Sequence, residues 1–444
     1  MADTDIITTQ LKLLDKVKKY LGARSLKDGQ KVASDPSCYL NAWAAGSLGY
    51  LRLQCLHKGF SEFPNYSYRF LRSVLQSGAS SSYKIVNLEQ RGIAYKHIVI
   101  SWCRQDDFLE DGSFQCSYFS ANSKNTPNTL WFLLSLDNVH PRKLNKNIRI
   151  FVSHHENHYS VLRIFKNIWK WFVYKIIPVP ETLFAHALTS VFTSEILKPE
   201  IKSVLMAYEA QPWQHKLNQG IKLFNSTIKT IGYLHSSLPP LPTDFVKRDG
   251  EPDFLFVHGK GQKKIFQKYL GWEKKSIQVI NSLRFQKVTK KKFSGKIFIP
   301  YDFSKGDFYI ELLEYFFKKM DSDMPPLKIR NHPAQSQSKK HAALIKNIEN
   351  LLARYQDRFD RNSKRQIALI FGSTTTVLEC LARDIEVIHM TTEPVYESYS
   401  ASLWPELKIN KIENHIFSYK QKNKDEYIAL GERNTSLRDI LFHA

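Results

Sequence analysis

Two turns carry the residue types that bind phosphate. LKIRNHP, residues 327–333, sets Arg330, His332 and Pro333 directly after a short apolar run. QIALIFGSTTTVLECLARDIEVIHM, residues 366–390, sets Gly372, Ser373, Thr374 and Thr375 between an apolar strand and a helix. In an open α/β sheet the strand ends form a crevice, and a helix start presents unpaired N–H groups to an anion. Arg330 or His332 would add positive charge through charge-assisted hydrogen bonds. Each motif alone also has an ordinary structural use, because Ser and Thr cap helices and His-Pro is common in turns. Their order within one βαβ-like unit favours a nucleotide or phosphate site. Neither GxxxxGK(S/T) nor GxGxxG occurs there, so a P-loop and the usual dinucleotide fingerprint are both missing.

These turns need a sheet to hold them. KIFIP, LKIR, QIALIF and IEVIHM read as four strands of one parallel sheet, with Ser304-Lys305-Gly306, Asn331-His332-Pro333 and the Gly372–Thr375 turn in the loops after three of them. The lysine-rich stretch QKVTKKKFSGK, from Gln286, reads as a solvated linker between two halves. Upstream of it KHIVISW, TLWFLLSL, NIRIFVSHH, FLFVHGKG and SIQVINSLRF are strand candidates, and about 159–232 reads as helical. The expected fold is therefore α/β, with two Rossmann-like domains facing a cleft. Its parts are a helical N-terminal region over 1–92, an acceptor-side α/β domain over 93–288, a donor nucleotide-binding α/β domain over 289–420, and a C-terminal helix over 421–444 packing back on the first domain.

The turn pair, His-Pro followed by GSTTTVLECLA in a carboxyl-terminal α/β domain, resembles the donor-binding half of bacterial GT-B glycosyltransferases. Among these it is similar to the enzymes that use CMP-activated nonulosonic sugars, the sialyltransferase and Kdo-transferase relatives of capsule and lipopolysaccharide assembly. By that resemblance His332, Ser373, Thr374 and Thr375 bind the nucleotide phosphate and Glu379 lies near the ribose. FLEDGSF, with Glu110, Asp111 and Gly112, resembles the acidic motif that supplies a general base in several such transferases. MAYEAQPWQ with Glu209, TIGYLHSS with His235 and NSLRF with Arg284 look like motifs of surface-carbohydrate biosynthesis proteins. The resemblance covers about two thirds of the chain and leaves out the first 90 residues or so.

Transfer from a sugar nucleotide needs a base for the acceptor hydroxyl and cations or N–H groups for the departing phosphate. Asp111 is the first choice of base, although Asp-Gly equally marks a turn. Glu209 is the rival, in an aromatic and apolar setting that would raise its pKa. His235 would bind a phosphate or orient a carboxylate, or else cap a helix end. Arg284 would reach across to the donor or form an interdomain ion pair. His154, His155 and His158 in HHENH lack the HExxH order and a fourth ligand, so no metal site and no cofactor beyond the donor substrate is expected.

The chain has 444 residues, 64 Lys plus Arg against 42 Asp plus Glu, and a net charge of +22, which calls for an acidic partner. The basic residues are spread along the chain and no RNP, KH or zinc-finger pattern occurs, which argues against a nucleic-acid-binding protein. In Tyr159–Ile177 Leu162, Phe165 and Trp169 share a helical face, with Arg163, Lys166 and Lys170 largely elsewhere. That suits an anionic membrane surface, and a core helix with a basic side is the competing reading. Five scattered cysteines without a CxxC pair fit a reducing compartment. No run of about 18 apolar residues predicts a membrane span. The sequence thus points to a cytoplasmic, metal-independent GT-B glycosyltransferase at the inner face of the cytoplasmic membrane, with a nucleotide-sugar donor and a glycan or glycolipid acceptor. A CDP-polyol phosphotransferase of the teichoic-acid type is the alternative within the enzyme class.

Overall fold

The computed structural model describes residues 2–28, 79–88, 95–135, 139–174, 180–286, 295–300, 305–320, 323–331, 339–431 and 436–443. They form two α/β units, each built on its own sheet. The first sheet has eight strands: β1 (Ala79–Val86), β2 (His97–Trp102), β3 (Thr129–Ser135), β4 (Ile148–Tyr159), β5 (Ser203–Ala207), β6 (Lys229–Tyr233), β7 (Phe254–Val257) and β8 (Ile277–Val279). Their order across the sheet is β1-β4-β3-β2-β5-β6-β7-β8, and only β1 runs antiparallel to its neighbour. TLWFLLS is buried throughout, and HIVISW everywhere except Trp102. A strand covered on both faces reads as such a continuous apolar run, which is why these strands are plain in the sequence.

The second sheet has six strands: β9 (Gly295–Phe298), β10 (Lys328–Arg330), β11 (Ile367–Phe371), β12 (Glu386–Met390), β13 (Leu407–Glu413) and β14 (Ile416–Gln421), in the order β10-β9-β11-β12-β14-β13. The first four are parallel. β14 runs antiparallel to both β12 and β13, so the expected parallel sheet ends in a hairpin.

Three local expectations are corrected. Residues 79–86 are a strand, in a region read as helical, while Ala2–Asp28 is the helix α1 and 29–78 lie outside the described residues. The stretch 159–232 contains the helices α2 (Val161–Tyr174), α3 (Pro180–Val191) and α4 (Pro212–Phe224), but also β5 and β6. SVLMA and KTIGY are five-residue runs, too short for periodicity to tell a strand from a helix. Among its described residues the tail after 421 is helical only over α5 (Leu437–His443), whose Leu437, Ile440 and Leu441 enter the core on one face of the first sheet.

One apolar cluster spans both units. It joins Ile98, Phe132 and Val204 of the first sheet to Ala368, Val387 and Trp404 of the second unit, with Leu13, Leu14 and Val17 of α1. The Trp404 indole N–H donates to the Pro240 carbonyl at 2.8 Å, and Gln10 donates to the carbonyls of Val395 and Ser398. After β14 the chain returns across the first unit, where Ala429 N–H reaches the His258 carbonyl.

Each sheet contains a switch point. β3 and β4 continue from β2 to one side, and β5 to β8 lie on the other. In the second sheet β10 lies on one side of β9, with β11 and β12 on the other. Adjacent strands whose connections leave in opposite directions open a crevice at their carboxyl ends, the usual ligand position in such sheets.

Candidate functional site

Both switch points open onto a single cavity of about 830 Å³. Arg104, two residues past β2, and Ser117 come from the first unit. Phe298–Pro300 at the end of β9, Arg330 and Asn331 at the end of β10, and 372–376 after β11 come from the second. Arg284, beyond β8, completes the junction between them.

The Gly372 turn is fixed from below. Gly372 has φ +64°, and a Cβ there would meet the Tyr309 hydroxyl at 2.8 Å, so this position needs glycine. His389, buried on β12, has Nε2 2.7 Å from the Gly372 carbonyl and Nδ1 3.3 Å from the Tyr419 hydroxyl. With Nε2–H donating to that carbonyl, the Tyr419 hydroxyl is left to donate to Nδ1. Thr374 Oγ1 accepts from Thr376 N–H at 3.3 Å. The helix that follows, α6 (Thr376–Ala382), has only seven residues, so its dipole is a small part of the site's charge. Hydroxyls of Ser373, Thr374 and Thr375 and nearby cations supply the polar surface instead.

Those cations are Lys305, Arg330, Arg284 and Arg104. Arg330 stacks over the Phe298 ring, its guanidinium carbon 5.3 Å from the centroid. Arg284 lies 3.7 Å from Glu379, an ion pair that joins the two units at the cavity. Burial raises the pKa of Glu379, and Arg284 opposes the rise. Glu397, the other acid on the wall, accepts from Thr392 N–H, Thr392 Oγ1 and Glu393 N–H, so it is taken up in holding its own loop. The cavity is therefore net positive.

Beside the cavity stands an acid and histidine pair. Glu209 follows β5 and His235 follows β6, and their side chains meet at 3.2 Å. The Glu209 loop is held by buried Gln214, whose Oε1 accepts from Glu209 N–H at 2.9 Å and Gln211 N–H at 3.0 Å, while its amide donates to the Ala207 carbonyl. Ala210 takes φ +55°, which turns the chain sharply after Glu209. The Glu209 side chain keeps 42% of its surface open. The protein packed around it still pushes its pKa up to about 7, and the open part of the carboxylate moderates that rise. His235 is buried, and burial, with Arg284 and His258 nearby, lowers it to about 3. At neutral pH the imidazole is uncharged, so the contact is a hydrogen bond and not an ion pair. Its Nδ1 has no partner among the described residues. Tyr118 sets its ring edge-on to His235, centroids 4.5 Å apart. Burial pushes its phenol up to about 12, with Glu209 adding to the rise and Arg104 and Arg284 opposing it. The preceding residue, Ser117, lines the cavity, so Tyr118 links the pair to the cavity wall.

Asp111 lies elsewhere. It is exposed, pairs with Lys124 and accepts from Ser113 N–H at 2.9 Å, and the Lys124 contact, then Ser113, holds its carboxyl well below the usual range. Gly112 at φ +81° packs against Lys143, and its carbonyl accepts from Asn145 N–H, just before the amino end of β4. The Asp-Gly pair is thus a turn at the end of the sheet away from the cavity, and of the two candidate bases Glu209 is the one on the cavity side. His332, Pro333 and Ser304 lie outside the described residues, whereas Arg330 and Asn331 next to them line the cavity.

On α2, Val161, Leu162, Phe165 and Trp169 are 64%, 82%, 66% and 60% exposed, and Lys166 is exposed beside them. The side chains of Arg163 and Lys170, like those of His154, His155 and His158, lie outside the described residues. No helix among the described residues is long and apolar enough to cross a membrane.

The sequence reading passes over Arg104, Ser117, Tyr309 and His389. Arg104 had a signal, as the first charge beyond a buried strand. His389 had none, because its role comes from contacts with residues 17 and 30 positions away.

No family model matches the chain, and no curated protein sequence matches it. Among solved structures it is similar to apo OtsA, with 12% identity over 65% of this chain and 87% of that one, at a TM-score of 0.32. A trehalose-6-phosphate protein from E. coli bound with UDP-2-fluoro glucose gives 10% identity over 70% and 90%, at 0.34. The wall teichoic acid polymerase TagF with CDPG gives 11% over 65% and 68%, at 0.27. At such TM-scores these likenesses assign no residue and no activity to this chain.

Proposed function

We propose that this chain is a GT-B-type glycosyltransferase that moves a sugar from a nucleotide-activated donor, a CMP-linked nonulosonic acid, to a glycan or glycolipid acceptor. The observation that carries the reading is the pair of facing switch points, one with phosphate-binding chemistry and the other with a carboxylate of raised pKa. In the reaction the Glu209 carboxylate takes the proton of an acceptor hydroxyl. That oxygen bonds to the anomeric carbon, and the carbon–oxygen bond to the phosphate breaks with its electron pair leaving on the nucleotide. Arg330, Lys305 and the Ser373–Thr375 hydroxyls meet the developing negative charge. In this reading side chains supply that charge and the transfer needs no metal. His235 holds Glu209 in place and keeps the pair uncharged when Glu209 is protonated.

A peripheral seat at the inner face of a cytoplasmic membrane fits the same reading. α2 leaves β4 at the carboxyl edge of the first sheet, the edge that faces the cavity, and its exposed Leu162, Phe165 and Trp169 with Lys166 suit the headgroup boundary of anionic lipid. An acceptor carried by lipid would then lie beside the cavity mouth.

A nucleotide panel tests the reading, since a ligand bound only by the folded state raises the unfolding temperature by mass action. CMP should stabilise the protein more than CDP, UDP or GDP at equal concentration. Stabilisation by none of the four removes the nucleotide site, and a preference for UDP or GDP removes the CMP donor.

A further inference from the structure

The cavity carries more positive charge than one phosphate requires, and the surplus sits on the wall opposite the Gly372 turn. Arg330 and Lys305 share the second-unit wall with that turn, and Arg284 is engaged by Glu379. Arg104 stands apart from all of these. It belongs to the first-unit wall at the β2/β5 switch point, its side chain is exposed, and it forms no ion pair with any described residue. Its backbone is fixed, with Arg104 N–H donating to Asp107 Oδ2 at 2.7 Å and the preceding Cys103 N–H donating to the Leu134 carbonyl at 3.0 Å. A guanidinium offers a planar fork that matches a carboxylate or a phosphate better than any neutral sugar hydroxyl.

Its position says which part of a ligand it would meet. Arg104 and Ser117 line the same wall, and Tyr118, next to Ser117, stands edge-on to His235 at 4.5 Å between centroids, with Glu209 3.2 Å from that histidine, so the guanidinium lies on the wall that carries the base. A nucleotide phosphate on the Gly372 turn directs its sugar across the cavity towards this wall, and the attacking hydroxyl must meet Glu209 there. The group beside Arg104 is therefore part of the sugar or of the acceptor, near the reacting carbon.

We propose that Arg104 binds a second anionic group, a carboxylate or phosphate borne by the transferred sugar or by the acceptor and distinct from the nucleotide's own phosphate. This rests on the nucleotide-sugar reading of the cavity. Arg104 then sets specificity, because a neutral sugar leaves the guanidinium unmatched.

Calorimetric titration of the full chain separates the possibilities. CMP, CMP-N-acetylneuraminic acid, and N-acetylglucosamine 1-phosphate added to CMP-saturated protein are compared in wild type, Arg104→Gln, Arg104→Lys and Arg330→Gln. CMP affinity should stay within about twofold in Arg104→Gln and fall about tenfold in Arg330→Gln, the scale of one charge-assisted contact. A loss of about tenfold in Arg104→Gln for CMP-N-acetylneuraminic acid puts the anion on the transferred sugar, and the same loss for the sugar phosphate puts it on the acceptor. Arg104→Lys should keep part of the affinity, which separates lost charge from lost fold. If Arg104→Gln weakens CMP as much as Arg330→Gln does, Arg104 is a nucleotide ligand and the proposal is wrong. It is equally wrong if neither anionic probe loses affinity. Wild-type protein that binds neither CMP nor CMP-N-acetylneuraminic acid removes the nucleotide reading itself, and the second anion position with it.

Discussion

At the scale of single residues, Glu209 and Asp111 are two acids that their surroundings treat in opposite ways. Glu209 is held by Gln214 and His235 with its pKa near 7, whereas Asp111 is ion-paired on a surface turn. Glu209→Gln should cut CMP release from a CMP-sugar by roughly 100-fold or more, the scale of base catalysis, and leave CMP binding intact. Asp111→Asn should turn over normally. Normal turnover in Glu209→Gln would take the base away from this pair. The pH dependence has a defined sign. The base form of Glu209 exists above about pH 7, so kcat should rise through that value, and the rise should vanish in Glu209→Gln. Stability runs the other way: the folded state keeps the proton up to about 7 while the unfolded chain releases it near 4.5, so this group costs stability as the pH rises between the two. A fold position is equally specific at Gly372. Gly372→Ala should cost about 1–2 kcal/mol for the left-handed backbone, read by urea unfolding, and loosen CMP through the displaced Tyr309 hydroxyl. Unchanged stability would show that this turn can relax.

At the scale of elements, what the sequence makes legible follows burial. HIVISW and TLWFLLS are long apolar runs, and each is a central parallel strand. SVLMA and KTIGY lie between helices and are too short to declare themselves, so in sequence the strands that lead to Glu209 and His235 pass for helix, although the two residues themselves stand out. The Gly372 turn was legible because glycine and three threonines after a strand are a local signal. Asp111 was misleading for the same reason, since Asp-Gly serves many turns. Arg104 and His389 owe their roles to the order of strands in space, which no local pattern records. At this scale α2 makes its own prediction. Its apolar residues point outwards, so Leu162→Ser with Trp169→Ser, or Lys166→Glu alone, should weaken sedimentation with vesicles containing anionic lipid, each surface charge being worth about 1 kcal/mol. Binding that is absent in wild type, or the same on neutral and anionic vesicles, would show that α2 does not dock on anionic lipid.

At the scale of the whole molecule, the two sheets share one apolar cluster, so they should unfold together although each has its own strand order. Trp404 lies at this joint, fully buried and bonded to Pro240. Trp404→Ala should cost about 3–5 kcal/mol and split the single unfolding transition in two, while Trp404→Phe should keep most of the packing. A wild type that already unfolds in two steps would mean the shared cluster does not couple the units. The same joint sets the Gly372 turn of one sheet opposite the wall of the other that carries Arg104, and the proposed transfer needs a substrate that touches both walls. Hydrogen exchange read by mass spectrometry, with and without CMP-N-acetylneuraminic acid, tests this most directly. Slowed exchange at residues 372–376 of the second unit together with 103–118 or 208–211 of the first is the predicted result; protection confined to one unit, or falling away from the cavity, would contradict a donor site between the two sheets.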